Sequence, residues 1–265
     1  MLKRFAIVGF SLLLGPIYLT GKDKPDAAPV FPEVTARGRA LYEYDQAAQH
    51  ASDAVRAVHP DRGVVRSYIA RKSDSGWTVV FGRLNDQRDK FLIAYEAIQG
   101  KTIKEFMVRK VDPPVEESGF YLGAAKAIDT ALHDFKGAAR PYSGAVLPAP
   151  SNQFYVYMYP SQTQDGVYPV GGDVRYLISS DGNTVIDERR MHSKISEGWD
   201  KPPNLWVGNY HTHDLSSEPE DTDVFHVLSS KVPEYIGTPN GKFFRVNTDG
   251  TIVEVKKGSF ADSGN

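Results

Sequence analysis

Two histidines and an aspartate in the last quarter of the chain have the types and spacing of metal ligands. His211 and His213 are separated by one residue, and Asp223 follows ten residues after His213. The aromatic and β-branched residues at 206–210 predict a strand, and side chains two apart on a strand point to the same face. Two imidazoles and a carboxylate are a common ligand set for a metal ion that keeps an open position.

A helix is needed to bring Asp223 to the histidines. Residues 217–220 predict its start, with Ser217 capping the first free amides and Glu220 bonding back to that cap. His226, on the same helix, is predicted to be a solvated side chain, with a supporting contact behind the ligands as the alternative. Three apolar residues at helical spacing predict the buried face of this helix: Val224, Val227 and Leu228.

Composition excludes several classes of function. The chain has 265 residues, 31 basic and 33 acidic side chains, and a net charge of −2. It has no global basic field, so nucleic acid is not expected as a partner. Cysteine is absent, which excludes disulfides, thiolate metal sites and cysteine nucleophiles.

The N-terminus predicts export. Lys3 and Arg4 precede an uncharged run at residues 5–21, which has the pattern of an export signal or a short membrane anchor. A linker rich in proline and charge follows at 22–32. We therefore expect the protein in the bacterial periplasm or cell envelope, with membrane anchoring through residues 5–21 as one form of attachment.

The remaining chain predicts an α+β protein of two parts. A helix at 35–58 and four strands at 64–71, 76–81, 90–98 and 102–111 indicate an accessory domain over 33–112. The proline pair within 112–119 indicates a boundary. The second domain, 119–258, begins with a helix at 121–135 and a loop at 137–152. Strands are predicted at 154–159, 174–179, 184–190, 206–213, 234–238, 242–246 and 251–255, with a loop at 193–203. Residues 189–192, which include His192, are interpreted as a strand end with solvated charges, with a basic patch near the site as the alternative.

The order of these elements over residues 121–255 resembles the JAMM (MPN-type) metalloprotease domain. That family carries H-x-H, then a proline-serine pair, then an aspartate three residues after the serine; the matching positions here are His211, His213, Pro219, Glu220 and Asp223. The resemblance implies a zinc ion held by both histidines and the aspartate, with a bound water as nucleophile. It further implies a peptidase or isopeptidase that acts on a protein or peptide.

Two positions depart from the family pattern. Glu220 replaces the serine that helps to hold the oxyanion, and a carboxylate there would repel developing negative charge. The family's general base is a glutamate on an early strand, but residues 119–187 contain no glutamate. Glu220 and Glu188 are therefore the candidate catalytic acids or bases.

Two other interpretations stay open at this stage. A degenerate domain of the same fold would bind a protein partner in the cell envelope without catalysis. A cupin-like site would use His211, His213 and Glu218, but Phe244 stands where the later cupin histidine is expected.

Overall fold

The computed structural model describes residues 28–199 and 208–257. Within these ranges the helices are α1 (Pro32–Ala57), α2 (Phe120–Asp134) and α3 (Asp221–Ser230), with a short 3-10 turn at Pro150–Asn152. None of these helices combines the length and the apolar character that a membrane span requires. The predicted export signal at 1–21 lies outside the described residues.

The first sheet is an antiparallel meander behind α1. It contains β1 (Ser67–Ser73), β2 (Gly76–Leu84), β3 (Phe91–Gln99) and β4 (Phe106–Glu117), paired in chain order. The predicted helix followed by four strands is confirmed. The segment interpreted as a boundary, 112–119, is mostly strand, because β4 is an edge strand and an edge tolerates the prolines at 113 and 114. Division into two domains there stays a prediction.

The second sheet follows α2. Its antiparallel strands are β5 (Tyr142–Pro148), β6 (Phe154–Pro160), β8 (Val174–Ile178) and β9 (Val185–Arg190), in the order β5-β6-β8-β9. The prediction of a loop throughout 137–152 was wrong. β5 forms there because Ala145, Val146 and Leu147 are buried while the strand pairs along β6.

Two smaller units surround the candidate ligands. β7 (Val167–Val170) pairs with β10 (Ser196–Trp199), so the predicted loop at 193–203 contains a strand. The last sheet contains β11 (Asn209–Thr212), β12 (Glu234–Gly237), β13 (Phe243–Val246) and β14 (Ile252–Val255). β11 and β12 are parallel, and α3 connects them. The class is α+β, as predicted.

Two core clusters position these layers. The larger cluster runs through the first two sheets, α1 and α2, while the smaller one joins α3 to the last sheet. α1 meets α3 at Gly38, where an added Cβ would lie 2.5 Å from the Cβ of Val224. The buried carboxylate of Asp221 anchors the start of α3, accepting hydrogen bonds from Arg37, Tyr157 and Arg175.

Candidate metal centre

Four side chains from three parts of the fold converge on one point. His192 lies two residues after β9, His211 lies in β11, His213 directly follows β11, and Asp223 lies in the first turn of α3. One potential ligand atom from each lies within 4.8 Å of the others. The structure thus brings together the three predicted ligands, His211, His213 and Asp223, and adds His192.

Neighbouring potential ligand atoms lie 3.0–3.3 Å from one another. Nε2 of His213 is 3.0 Å from Nε2 of both His192 and His211. Asp223 Oδ1 is 3.1 Å from Nε2 of His192 and 3.3 Å from Nε2 of His211. Ligands of one zinc ion at bond lengths of about 2.0–2.1 Å have separations of this size.

The outer nitrogen of each imidazole has an acceptor. Nδ1 of His192 lies 2.8 Å from Asp173, and Nδ1 of His213 lies 2.8 Å from the backbone carbonyl of Glu218. Nδ1 of His211 lies 2.9 Å from Glu234. These partners assign the proton of each neutral ring to Nδ1. Three Nε2 lone pairs therefore face one another, and neutral rings cannot form hydrogen bonds in that arrangement.

Asp223 has one oxygen committed and one left over. Oδ2 accepts a hydrogen bond from the backbone amide of Glu220 at 2.7 Å. Oδ1 is buried and has no hydrogen-bond partner unless a neighbouring Nε2 carries an additional proton. A buried unsatisfied carboxylate oxygen is costly. A cation among the three lone pairs would satisfy it, and the four residues could hold a metal ion.

Without a cation, the pKa values of these residues also show that the site favours positive charge. Burial disfavours the charged form of His192, but Asp173 and Asp223 outweigh burial and raise its pKa well above the usual value. Burial acts likewise on His211, where Glu234 and Asp223 raise the pKa to about 9. The pKa of Asp223 is lowered well below its usual value, because His213 and His192 outweigh its burial. The centre therefore favours positive charge, which either protons or a metal cation could supply.

A buried carboxylate links His211 to a further histidine. Glu234 Oε1 contacts His211, while its Oε2 lies 2.7 Å from Nδ1 of His226. Burial is outweighed by these two imidazoles, which lower the pKa of Glu234 to about 2. The prediction of a solvated His226 was wrong: the residue is 4% exposed, because it faces Glu234 inside the protein.

The start of α3 also differs from the prediction. Its N-cap is Glu220 instead of Ser217, and Pro219 precedes the helix. The capping box pairs Glu220 with Asp223, the third helical residue. A candidate ligand thus also caps the helix that carries it.

The two candidate catalytic glutamates are not among the four converging residues. The carboxylate of Glu220 accepts two hydrogen bonds from Arg189, at 2.7 and 2.9 Å, and Glu188 pairs with Arg190 at 2.9 Å. Their catalytic role stays a prediction. Glu218, which a cupin-like site would need, meets His213 through its backbone carbonyl.

Sequence reasoning missed His192 and the acids behind the histidines. His192 follows two arginines, and its charged neighbours favoured a solvated strand end. The available signal was Met191, an apolar residue after the four charged residues 187–190. Its side chain is fully buried, and the side chain of His192 is buried as well.

Comparison with known proteins found no matching family model, curated protein or solved structure.

Proposed function

We propose that the chain is an exported zinc-binding protein with a degenerate JAMM-like domain. Protein side chains fill all four coordination positions of its zinc ion, and the domain binds a protein or peptide partner. The proposed ligands are His192, His211, His213 and Asp223. The resemblance over residues 121–255 supports the domain, and the converging side chains support the metal.

The observation that carries this proposal is the position of His192. A hydrolytic zinc site has three protein ligands and leaves the fourth position to water, whereas four protein ligands are typical of a structural site. Nε2 of His192 is 3.0 Å from His213 and 3.1 Å from Asp223 Oδ1. It thus occupies space beside the two predicted ligands that an activated water would need.

Zinc is the proposed ion because imidazole and carboxylate are both common zinc ligands. An ion that prefers five or six ligands, such as manganese or iron, would retain open positions with the same four residues. Metal identity therefore decides whether the centre is closed.

A metal-dependent peptidase or isopeptidase is the second candidate. One observation favours it: the backbone carbonyl of Glu218 contacts His213, and Glu218 also lines a polar pocket together with Glu188, Glu220, Arg189 and Arg190. A substrate in that pocket would lie near the chain segments that carry His192 and His213. This activity would require His192 to leave its position, or an ion with a larger coordination number.

The first experiment is elemental analysis of the purified full chain beside three variants: His192→Ala, the double variant His211→Ala/His213→Ala, and His133→Ala. His133 lies at the end of α2, outside the cluster. We expect about one zinc per wild-type chain and per His133→Ala chain, and little or none in the double variant. His192→Ala keeps three ligands and should lose its zinc to a chelator more readily than the wild type.

Three outcomes would change the conclusion. A wild-type chain that stays free of metal after zinc is supplied would overturn the metal site. Stoichiometric manganese or iron would support the second candidate. Zinc-dependent cleavage of peptides by the wild type, lost in the double variant, would reject a closed, non-hydrolytic centre.

A further inference from the structure

A groove lies at the seam between the first two sheets, away from the metal centre. β1 and β5 are edge strands of their sheets. Residues 70–72 of the first and 146–149, at the end of the second, border one cavity of about 710 Å³. α1 contributes Glu43 and Tyr44 to its wall, and the start of α2 contributes Phe120. We call this cavity the seam groove.

The strand edges direct backbone groups into the seam groove. Every second residue of an antiparallel pair directs its N–H and C=O away from the partner strand. The amide of Ala70 faces the hydroxyl of Tyr44 at 3.4 Å instead of β2. Lys72, two residues later, therefore directs its backbone groups to the same side. The Tyr44 hydroxyl also interacts with the backbone of Val146 on β5.

Tyr44 thus occupies the facing backbone groups at one point of the seam. Within residues 28–199 and 208–257, no hydrogen bond of the Lys72 backbone to this side is found. Unpaired strand edges are templates for an added strand, and natural proteins usually cover or charge them. The floor beneath this edge is apolar and aromatic, as an added strand would need for its inward side chains. It is formed by Tyr44, Trp77, Leu147 and Phe154.

The charge at the groove mouth is positive. The guanidinium of Arg71 lies over the ring of Phe120 at 4.8 Å, and no carboxylate in the described part of the chain forms an ion pair with it. The other basic residue, Lys72, is paired with Glu43. A ligand that carries one carboxylate would therefore complement Arg71.

We propose that the seam groove binds an extended peptide segment that pairs with the edge of β1 at Lys72 and presents an acidic side chain to Arg71. Main-chain hydrogen bonds supply affinity in this mode of strand addition, and alternate side chains supply specificity. The groove uses none of the four proposed metal ligands, so this inference does not depend on the metal.

The test is selection of random linear 12-residue peptides displayed on phage against the full chain. Affinities of enriched peptides are then measured by fluorescence anisotropy on the wild type, Arg71→Glu, Lys72→Pro and the control Lys104→Glu. Lys104 is an exposed residue of the turn between β3 and β4 and does not line the groove.

We expect enriched peptides in which an acidic residue is flanked by apolar residues at alternate positions. Their affinity should fall at least tenfold in Arg71→Glu and in Lys72→Pro, and stay within twofold in Lys104→Glu. Chelation of metal should not change it. Because proline could unfold the edge strand, melting curves accompany Lys72→Pro, and Arg71→Glu tests the proposal independently. Absence of enrichment, or equal affinity for wild type and Arg71→Glu, would overturn it.

Discussion

Nδ1 of each imidazole in the centre has one hydrogen-bond acceptor, and these acceptors differ in charge. His213 is oriented by a backbone carbonyl, whereas His192 and His211 face buried carboxylates. A carboxylate behind a ligating histidine fixes the ring and raises its basicity, and its removal typically costs about 10–100-fold in metal affinity. Asp173 and Glu234 should therefore matter nearly as much as the ligands.

Glu234→Gln tests this role with little change of shape. The amide oxygen can still accept one hydrogen bond, but the charge shared by His211 and His226 is lost. We expect zinc affinity to fall about 10–100-fold, measured by competition with a chromogenic chelator. Glu254→Gln is the control, since Glu254 is an exposed residue whose only described ion pair is with Lys242. Unchanged affinity in Glu234→Gln would contradict the role.

The raised pKa of His211 makes the stability of the metal-free protein depend on pH. Its folded-state pKa of about 9 exceeds the ordinary 6.5, so the charged ring stabilises the folded state. This contribution is complete below pH 6.5 and is lost as the pH rises to about 9. Urea unfolding of chelated protein should therefore show stability falling over this window.

His211→Ala separates this effect from other titrating groups. The variant lacks the imidazole and should show a shallower decline between pH 6.5 and 9 than the wild type. A wild-type stability that is flat or rises over that window would contradict the assignment.

At this scale, the sequence was sufficient for the ligands that are close together in the chain. His211 and His213 share one face of a short strand, and Asp223 occupies the first turn of the following helix. His192, Asp173 and Glu234 could not be found in the same way, because each reaches the centre through tertiary packing and no spacing rule connects them. Glu220 and Glu188 were chosen for their charge, and their arginine partners could not be read from the sequence.

At the scale of elements, periodic patterns predicted α1, α2 and the meander well, since their buried faces repeat at helical or alternating spacing. β5 escaped prediction because glycine and proline surround its short apolar run, and its strand conformation depends on pairing with β6. The observed N-cap of α3 lies three residues after the predicted one, because Glu220 and Asp223 form the cap and Ser217 does not. Both Ser217 and Glu220 have side chains that can cap a helix, and tertiary packing decides which of them does.

The crossing of α1 and α3 gives a prediction for Gly38→Ala. The added Cβ would lie 2.5 Å from Val224 Cβ and from the carbonyl oxygen of Asp221, so the helices must separate. Overpacking of this kind costs about 1–3 kcal/mol, against a gain of about 1 kcal/mol in helix propensity. We expect net destabilisation of up to about 2 kcal/mol in urea unfolding and weaker metal binding.

Gly144→Ala is the matched control for this substitution. Its added Cβ would meet only the sulfur of Met158, at 3.5 Å, which is an ordinary contact. A stability of Gly38→Ala equal to that of Gly144→Ala would show that the two helices are not in close contact at this point.

At the scale of the molecule, the metal centre joins elements that otherwise belong to different layers. His192 follows the second sheet, while the other three residues belong to the last sheet and α3. A bound ion would therefore connect a large core to a small one, and a ligand that binds only the folded state stabilises it by mass action.

Removal of metal should accordingly lower the melting temperature of the whole protein. Free zinc at about 100 times its Kd corresponds to about 2.7 kcal/mol of stabilisation. Differential scanning fluorimetry of chelated protein should show the loss, and added zinc should restore it in a concentration-dependent manner. The double variant His211→Ala/His213→Ala should not respond to zinc. Equal melting temperatures with and without chelator would argue against a metal that supports the fold.

The double duty of Asp223 makes the centre sensitive to insertions. One carboxylate oxygen caps α3 at Glu220 while the other faces the imidazoles, and Val224 follows directly in the buried stripe. An extra residue between Glu220 and Asp223 would rotate the carboxylate by about 100° relative to the cap. Capping, coordination and core burial could then no longer be satisfied together. An extra residue after Ser230, beyond the helix, leaves all three in register.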